Sequence, residues 1–185
     1  LEADPSLRLL LDMGHRIHVG GKTALAWHGY RHNLAADQEP LALYRRGRRP
    51  LPPWFAKRFH PRVNARSLFS EAGASPRYVS ASAEHDDVPA SDPERAALEM
   101  LGEVPARQGL EEAGHLMEGL VALRRDPLHD LLAHCTNRKT VMLFFHFARK
   151  FDLPVLAHLS AEQLPAHSKN RYVLKLPRGT LAMKP

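Results

Sequence analysis

The sequence predicts an α+β fold: an N-terminal strand-turn-helix with a small mixed sheet, then a bundle-like helical half with a final strand. Three observations predict it. Residues 16–90 carry brief apolar runs broken by Gly and Pro, the punctuation of short strands and turns. Residues 91–151 carry four segments with apolar residues three and four apart, the spacing of helices that pack on one face. "RYVLKL" near the end reads as a last alternating strand. Strands first and helices second divide the chain into a sheet-containing part, 16–90, and a mainly helical part, 91–185.

Each element has its own signal. "DPSLRLLLDMG" offers Asp4 as a cap, Pro5 at the first helical position and Gly14 just past the end of a short helix. "RIHV" enters the Gly20-Gly21 turn as a strand, and "KTALAWHGYRH" leaves it as a helix, with Thr23 expected to help cap it. "LALY" is a second strand and "LPPWFAKRF" a helical turn opened by its prolines. "NARSLF" and "RYVSASA" read as further strands, and "EHDDVPAS" as loop. In "SDPERAALEMLGEV", Ser91 or Asp92 caps a helix, and Glu94 lies in a first turn that favours an acid. "LEEAGHLMEGLVAL" places Leu110, Ala113, Met117, Leu120 and Val121 on one stripe. Arg124 and Arg125 fall near its end, where they complement the helix dipole. "PLHDLLAHC" is a third helix, and "RKTVMLFFHFARKF", apolar almost all round, belongs inside a packed layer.

"VGGKT" poses the sharpest chemical question, because it looks like a nucleotide-binding P-loop. That loop needs a glycine five residues before the glycine of Gly-Lys-Thr, so that its amides curl round a phosphate. Arg16 occupies that position, and Gly14 lies two residues too far upstream. The double glycine therefore reads as a structural turn made by Gly20, Gly21 and Thr23. Nucleotidyltransferases also place Gly-Gly between a strand and a helix, with two carboxylates on the next strand to hold the metal. Here Asp37 and Glu39 have the required gap but precede the strand, so a degenerate or active transferase is kept only as an alternative.

At 185 residues and 44% hydrophobic, the chain can bury a substantial core. No apolar run approaches the roughly 18 residues that span a bilayer, so no membrane partner is expected. The single cysteine, Cys135, forms no internal disulfide, suits a reducing compartment and reads as buried. Twenty-six Lys and Arg against 20 Asp and Glu give +6, which points to nucleic acid or an acidic protein as partner. That charge concentrates at Arg45, Arg46, Arg48 and Arg49, followed by Lys57, Arg58, Arg62 and Arg66. The run is either an anion-facing patch or a solvated loop guarding a sheet edge. Trp54 and Phe55 beside it read as core anchors. His28 and His32 share a helical face but lack a third ligand in sequence, so no metal is assigned.

"VGGKTALAWHGYRH", then a strand and "LPPWF", resembles the AbiEi antitoxin family of type IV toxin–antitoxin systems. "SDPERAALEMLGEVP", the segment near "LEEAGHLMEGLVALR" and "SKNRYVLKLPRG" follow in that family's order, over about residues 16 to 180. The resemblance implies a bacterial, cytoplasmic protein of abortive infection and phage defence that counteracts a nucleotidyltransferase toxin. It implies no catalytic residue and no cofactor. Family members also carry an N-terminal winged helix-turn-helix that binds operator DNA. The 19 residues before Gly20 are too few for that domain, so 1–15 is expected to be a linker helix or remnant of it. The start at Leu1 fits a longer natural chain. A DNA-binding transcriptional regulator without a toxin partner remains the other alternative.

Overall fold

The computed structural model describes residues 3–30, 40–70, 78–79, 85, 87–159 and 172–183. Helix α1 (Ala3–Asp12) buries Leu7 and Leu10 and stops at Gly14, whose φ of 81° is left-handed. Strand β1 (Ile17–Val19) runs into α2 (Gly21–Trp27), so the strand-turn-helix reading holds. There follow β2 (Ala42–Arg45), α3 (Pro53–Phe59), β3 (Arg62–Asn64), β4 (Tyr78–Val79) and β5 (Ala90–Ser91). These strands form one mixed sheet in the order β3-β2-β1-β5-β4. The central strand β1 is antiparallel to β2, with Val19 opposite Leu43, and parallel to β5, with Val19 opposite Ala90. A mixed sheet followed by a run of four helices is an α+β architecture.

The helical half contains α4 (Pro93–Glu103), α5 (Leu110–Glu118), α6 (Arg125–Ala133) and α7 (Arg138–Lys150). Every residue of α4 from Glu94 to Leu101 is buried, and α2, α5, α6 and α7 all pack against it. Its sequence hides this role, because Glu94, Arg95 and Glu99 look like surface residues. Helix α7 buries Val141 to Phe145, as its apolar sequence predicts. The chain closes with a hairpin, β6 (Tyr172–Lys175) and β7 (Thr180–Met183), which sets Leu174 and Met183 against α7. Buried side chains from Leu7 to Met183 form one core.

Several expectations change. "EHDDVPAS" ends in β5, too short for alternation to show. "NARSLF" contributes only Asn64 to β3, although Phe69 makes a single bridge to Cys135. The second strand of the terminal hairpin comes from "TLAM", which periodicity did not single out. Helix α5 stops at Glu118, before Gly119, so Val121 leaves the apolar stripe and is 60% exposed. Arg124 and Arg125 thus stand at the start of α6, where the dipole disfavours cations. Arg124 is instead held by acids of α4.

Candidate functional site

The double glycine is positioned by a carboxylate. Gly20 caps α2 in extended geometry, and Gly21 takes a φ of 51°, a conformation that favours glycine. The Gly21 amide donates to Glu99 Oε2 at 3.1 Å. A Cβ on Gly20 would lie 2.2 Å from that same oxygen and 2.5 Å from the Tyr44 ring. The chain's own carboxylate therefore sits against the turn that resembles a phosphate cradle. Thr23 does not cap α2; its hydroxyl accepts from the Ala42 amide at 2.9 Å and ties the helix to β2.

Glu99 is 1% exposed and collects three further donors. Ser91 Oγ donates at 2.8 Å, Arg95 Nε donates at 2.8 Å, and His18 Nε2 lies 3.1 Å from Oε1. Burial pushes the Glu99 carboxyl upward, but the His18 and Arg95 charges and the His18 and Ser91 hydrogen bonds outweigh it. The net result lies below the ordinary value. Tyr44 stacks on His18, with centroids 5.3 Å apart, and its hydroxyl donates to Glu103 at 3.2 Å. Burial first, then the Glu99 and Glu103 charges, push the Tyr44 hydroxyl well above its usual range. A carboxylate this fully bonded is a structural pin, with no free lone-pair direction aimed at a substrate.

A second pin joins α4 to the α5–α6 connection. Asp92 is the cap, accepting from the Arg95 amide at 3.1 Å, and Arg124 bonds both Asp92 and Glu94 at 2.8 and 2.7 Å. Burial raises the Glu94 carboxyl, and the Arg124 side-chain and main-chain hydrogen bonds more than reverse that. Glu94 is accordingly a buried clamp as well as a first-turn acid.

Beside the first pin opens a cleft of about 600 Å³. Its floor includes His18, Tyr44, Tyr78, Arg95 and Glu99, and its wall includes Arg16, Arg45, Arg46 and Arg66. The basic segment divides by role. Arg45 Nη1 donates to the carbonyls of Arg48 and Arg49 at 3.4 and 2.8 Å, closing the turn around Gly47. Arg49 reaches the Met13 carbonyl at 2.6 Å, and Arg62 the Arg107 carbonyl at 3.0 Å. Arg46 and Arg66 are exposed on the cleft; Arg48, Lys57 and Arg58 are exposed outside its lining. His15 is buried near this charge: burial, then Arg49 and Arg45, push its imidazole below the ordinary value.

The aromatic pair splits. Phe55 is fully buried, whereas Trp54 is 37% exposed and meets Phe55 edge-on, so only Phe55 is a core anchor. The difference follows from consecutive positions on α3 pointing about 100° apart. His28 Nε2 lies 3.0 Å from the Ser91 carbonyl, while His32, Asp37 and Glu39 fall outside the described residues. Among the described residues, no three His, Cys, Asp or Glu side chains converge as metal ligands, and no helix is long and apolar enough to cross a membrane. Cys135 is buried, which pushes its thiol up to about 11.

Sequence reasoning found the basic run but missed the Glu99 and Glu94 pins. Arg95 pairs with Glu99 at a local spacing of four, but His18 and Arg124 stand 81 and 30 residues from the acids they hold, beyond any local pattern. A hollow of about 790 Å³ lies between α5, α7 and the terminal hairpin. It mixes Glu111 and Glu118 with His115 and Lys150, so it shows no single charge preference.

A family model described as a transcriptional regulator, the AbiEi antitoxin of type IV toxin–antitoxin systems, matches residues 38–182. No curated protein and no solved structure gives a significant match.

Proposed function

The chain belongs to the AbiEi family of antitoxins and transcriptional regulators of type IV toxin–antitoxin systems, and we propose that it opposes a nucleotidyltransferase toxin through its basic face. The observation that carries this reading is the grouping of Arg16, Arg45, Arg46 and Arg66 around one cleft, with Arg48 exposed beside it. Convergent arginines attract anions at long range and bind carboxylates or phosphates at short range. A toxin that acts on nucleotides and nucleic acid presents such anions on itself or on its target. The protein is then a binding component without catalysis of its own. Saturation of Glu99 supports that, since the carboxylate nearest the double glycine serves the scaffold. The site of action is the bacterial cytoplasm, in defence against phage. Repression of the operon would fall to an N-terminal winged helix-turn-helix.

Growth rescue tests the proposal. Cells expressing the nucleotidyltransferase toxin from the adjoining gene should resume growth when this chain is co-expressed. Continued arrest, with the chain folded and abundant, refutes toxin opposition by this region. Steeply salt-dependent binding of the chain to operator DNA without rescue would favour a regulator with no toxin to oppose.

A further inference from the structure

We propose that the cleft beside the double glycine binds a phosphate ester of nucleotide size. This deepens the preceding reading and rests on it for physiological meaning, but the binding chemistry stands on the cleft itself. Two polar side-chain atoms of its lining are buried without a hydrogen-bond partner among the described residues, Arg45 Nε and the Tyr78 hydroxyl. Guanidinium Nε only donates, and a phenol donates readily, so both want an acceptor. Around them stand Arg16, Arg46 and Arg66, which form no side-chain hydrogen bond or ion pair among the described residues. Among the described residues the one carboxylate of the lining, Glu99, is already satisfied by four donors. The unmet demand is therefore for a polyvalent oxygen anion, and arginine forks match phosphate oxygens in geometry.

Size narrows the ligand further. A cavity of about 600 Å³ exceeds what a bare phosphate fills and lies in the range of small-molecule sites. The rest of the lining is partly apolar and aromatic, with Tyr78 against His18 at 4.4 Å and Leu68 and Phe69 alongside. That surface suits the sugar and base attached to the phosphate. The same nucleoside phosphate is presented by a free nucleotide or by the end of a nucleic-acid strand.

Calorimetry on the full chain at fixed salt tests this with four probes. They are a nucleoside 5′-monophosphate, a 5′-phosphorylated trinucleotide, the same trinucleotide with a 5′-hydroxyl, and inorganic phosphate. At least one nucleotide phosphate should bind about tenfold or more tightly than both the hydroxyl trinucleotide and inorganic phosphate. The tighter of the two nucleotide phosphates identifies the source. Tyr78→Phe, which removes only a hydroxyl, should weaken binding about threefold, and Arg66→Ala about tenfold, with unchanged melting. Equal binding of phosphate-bearing and hydroxyl probes, equal binding of inorganic phosphate, no binding, or indifference to both variants each overturns the inference. Growth protection separates the two readings. If Arg66→Ala loses the probe but protects fully, ligand binding stands and its role in toxin opposition falls. If no probe binds while reversal of Arg46 and Arg48 abolishes protection, toxin opposition stands and the ligand is refuted.

Discussion

Glu99 is a charge kept in a core by four hydrogen-bond donors, and the arrangement is unforgiving at single residues. Glu99→Gln leaves His18 and Arg95 without their anion and should cost about 3–5 kcal/mol in urea unfolding, the range for breaking a buried ion pair. Gly20→Ala forces a methyl into Glu99 and Tyr44, both held in place, and should cost about 1–3 kcal/mol as overpacking does. Acid should act in two stages. His15 is held below its ordinary 6.5, so the unfolded chain takes up a proton first, and stability falls as pH drops through that region. Glu99 and Glu94 are held below their ordinary 4.5, so their contribution is complete above that value and is lost as pH falls through their folded values. Melting temperature against pH should show both declines, and the second should be shallower in Glu99→Gln. An identical slope in the variant would remove Glu99 from the account.

Helix α3 shows what an element reveals in sequence and what it conceals. Its prolines and aromatic pair announce a helical turn, but which ring is buried depends on which side of the helix meets the core. Phe55→Ala should cost about 3–5 kcal/mol, whereas Trp54→Ala should change stability by less than about 1 kcal/mol; urea melts of both variants decide this. The longer helices were legible because Pro93, Asp92 and Gly119 mark ends and apolar spacing marks faces. Strand β5, two residues long, was not, since it exists only through pairing with Val19 and with β4. Charge was legible as a run around Arg45 to Arg66. Its partition into cleft-facing Arg46 and Arg66 and carbonyl-binding Arg49 and Arg62 depends on turns and on partners far along the chain. Burial of Glu94, Arg95 and Glu99 inverted the usual rule that charge lies outside; Arg95 and Glu99 pair four residues apart, but His18 and Arg124 reach these acids only through folding.

At the scale of the molecule, one core links the sheet to the helices, so the two halves should unfold together. Cys135 reports on this, being buried within that core and having a thiol raised to about 11 by burial. Its reaction with a thiol reagent at neutral pH should be slow in the native protein and rise in urea in step with loss of circular dichroism. Rapid labelling of the native chain would contradict a single closed core. The proposed function rests on the exposed arginines of the basic face, of which Arg46, Arg48 and Arg66 form no side-chain bond among the described residues. The most direct measurement is growth protection against the nucleotidyltransferase toxin by the Arg46→Glu, Arg48→Glu variant, matched to the unaltered chain in abundance and melting temperature. Loss of protection with the fold intact is the expected result; full protection by that variant would rule out the basic face as the working surface.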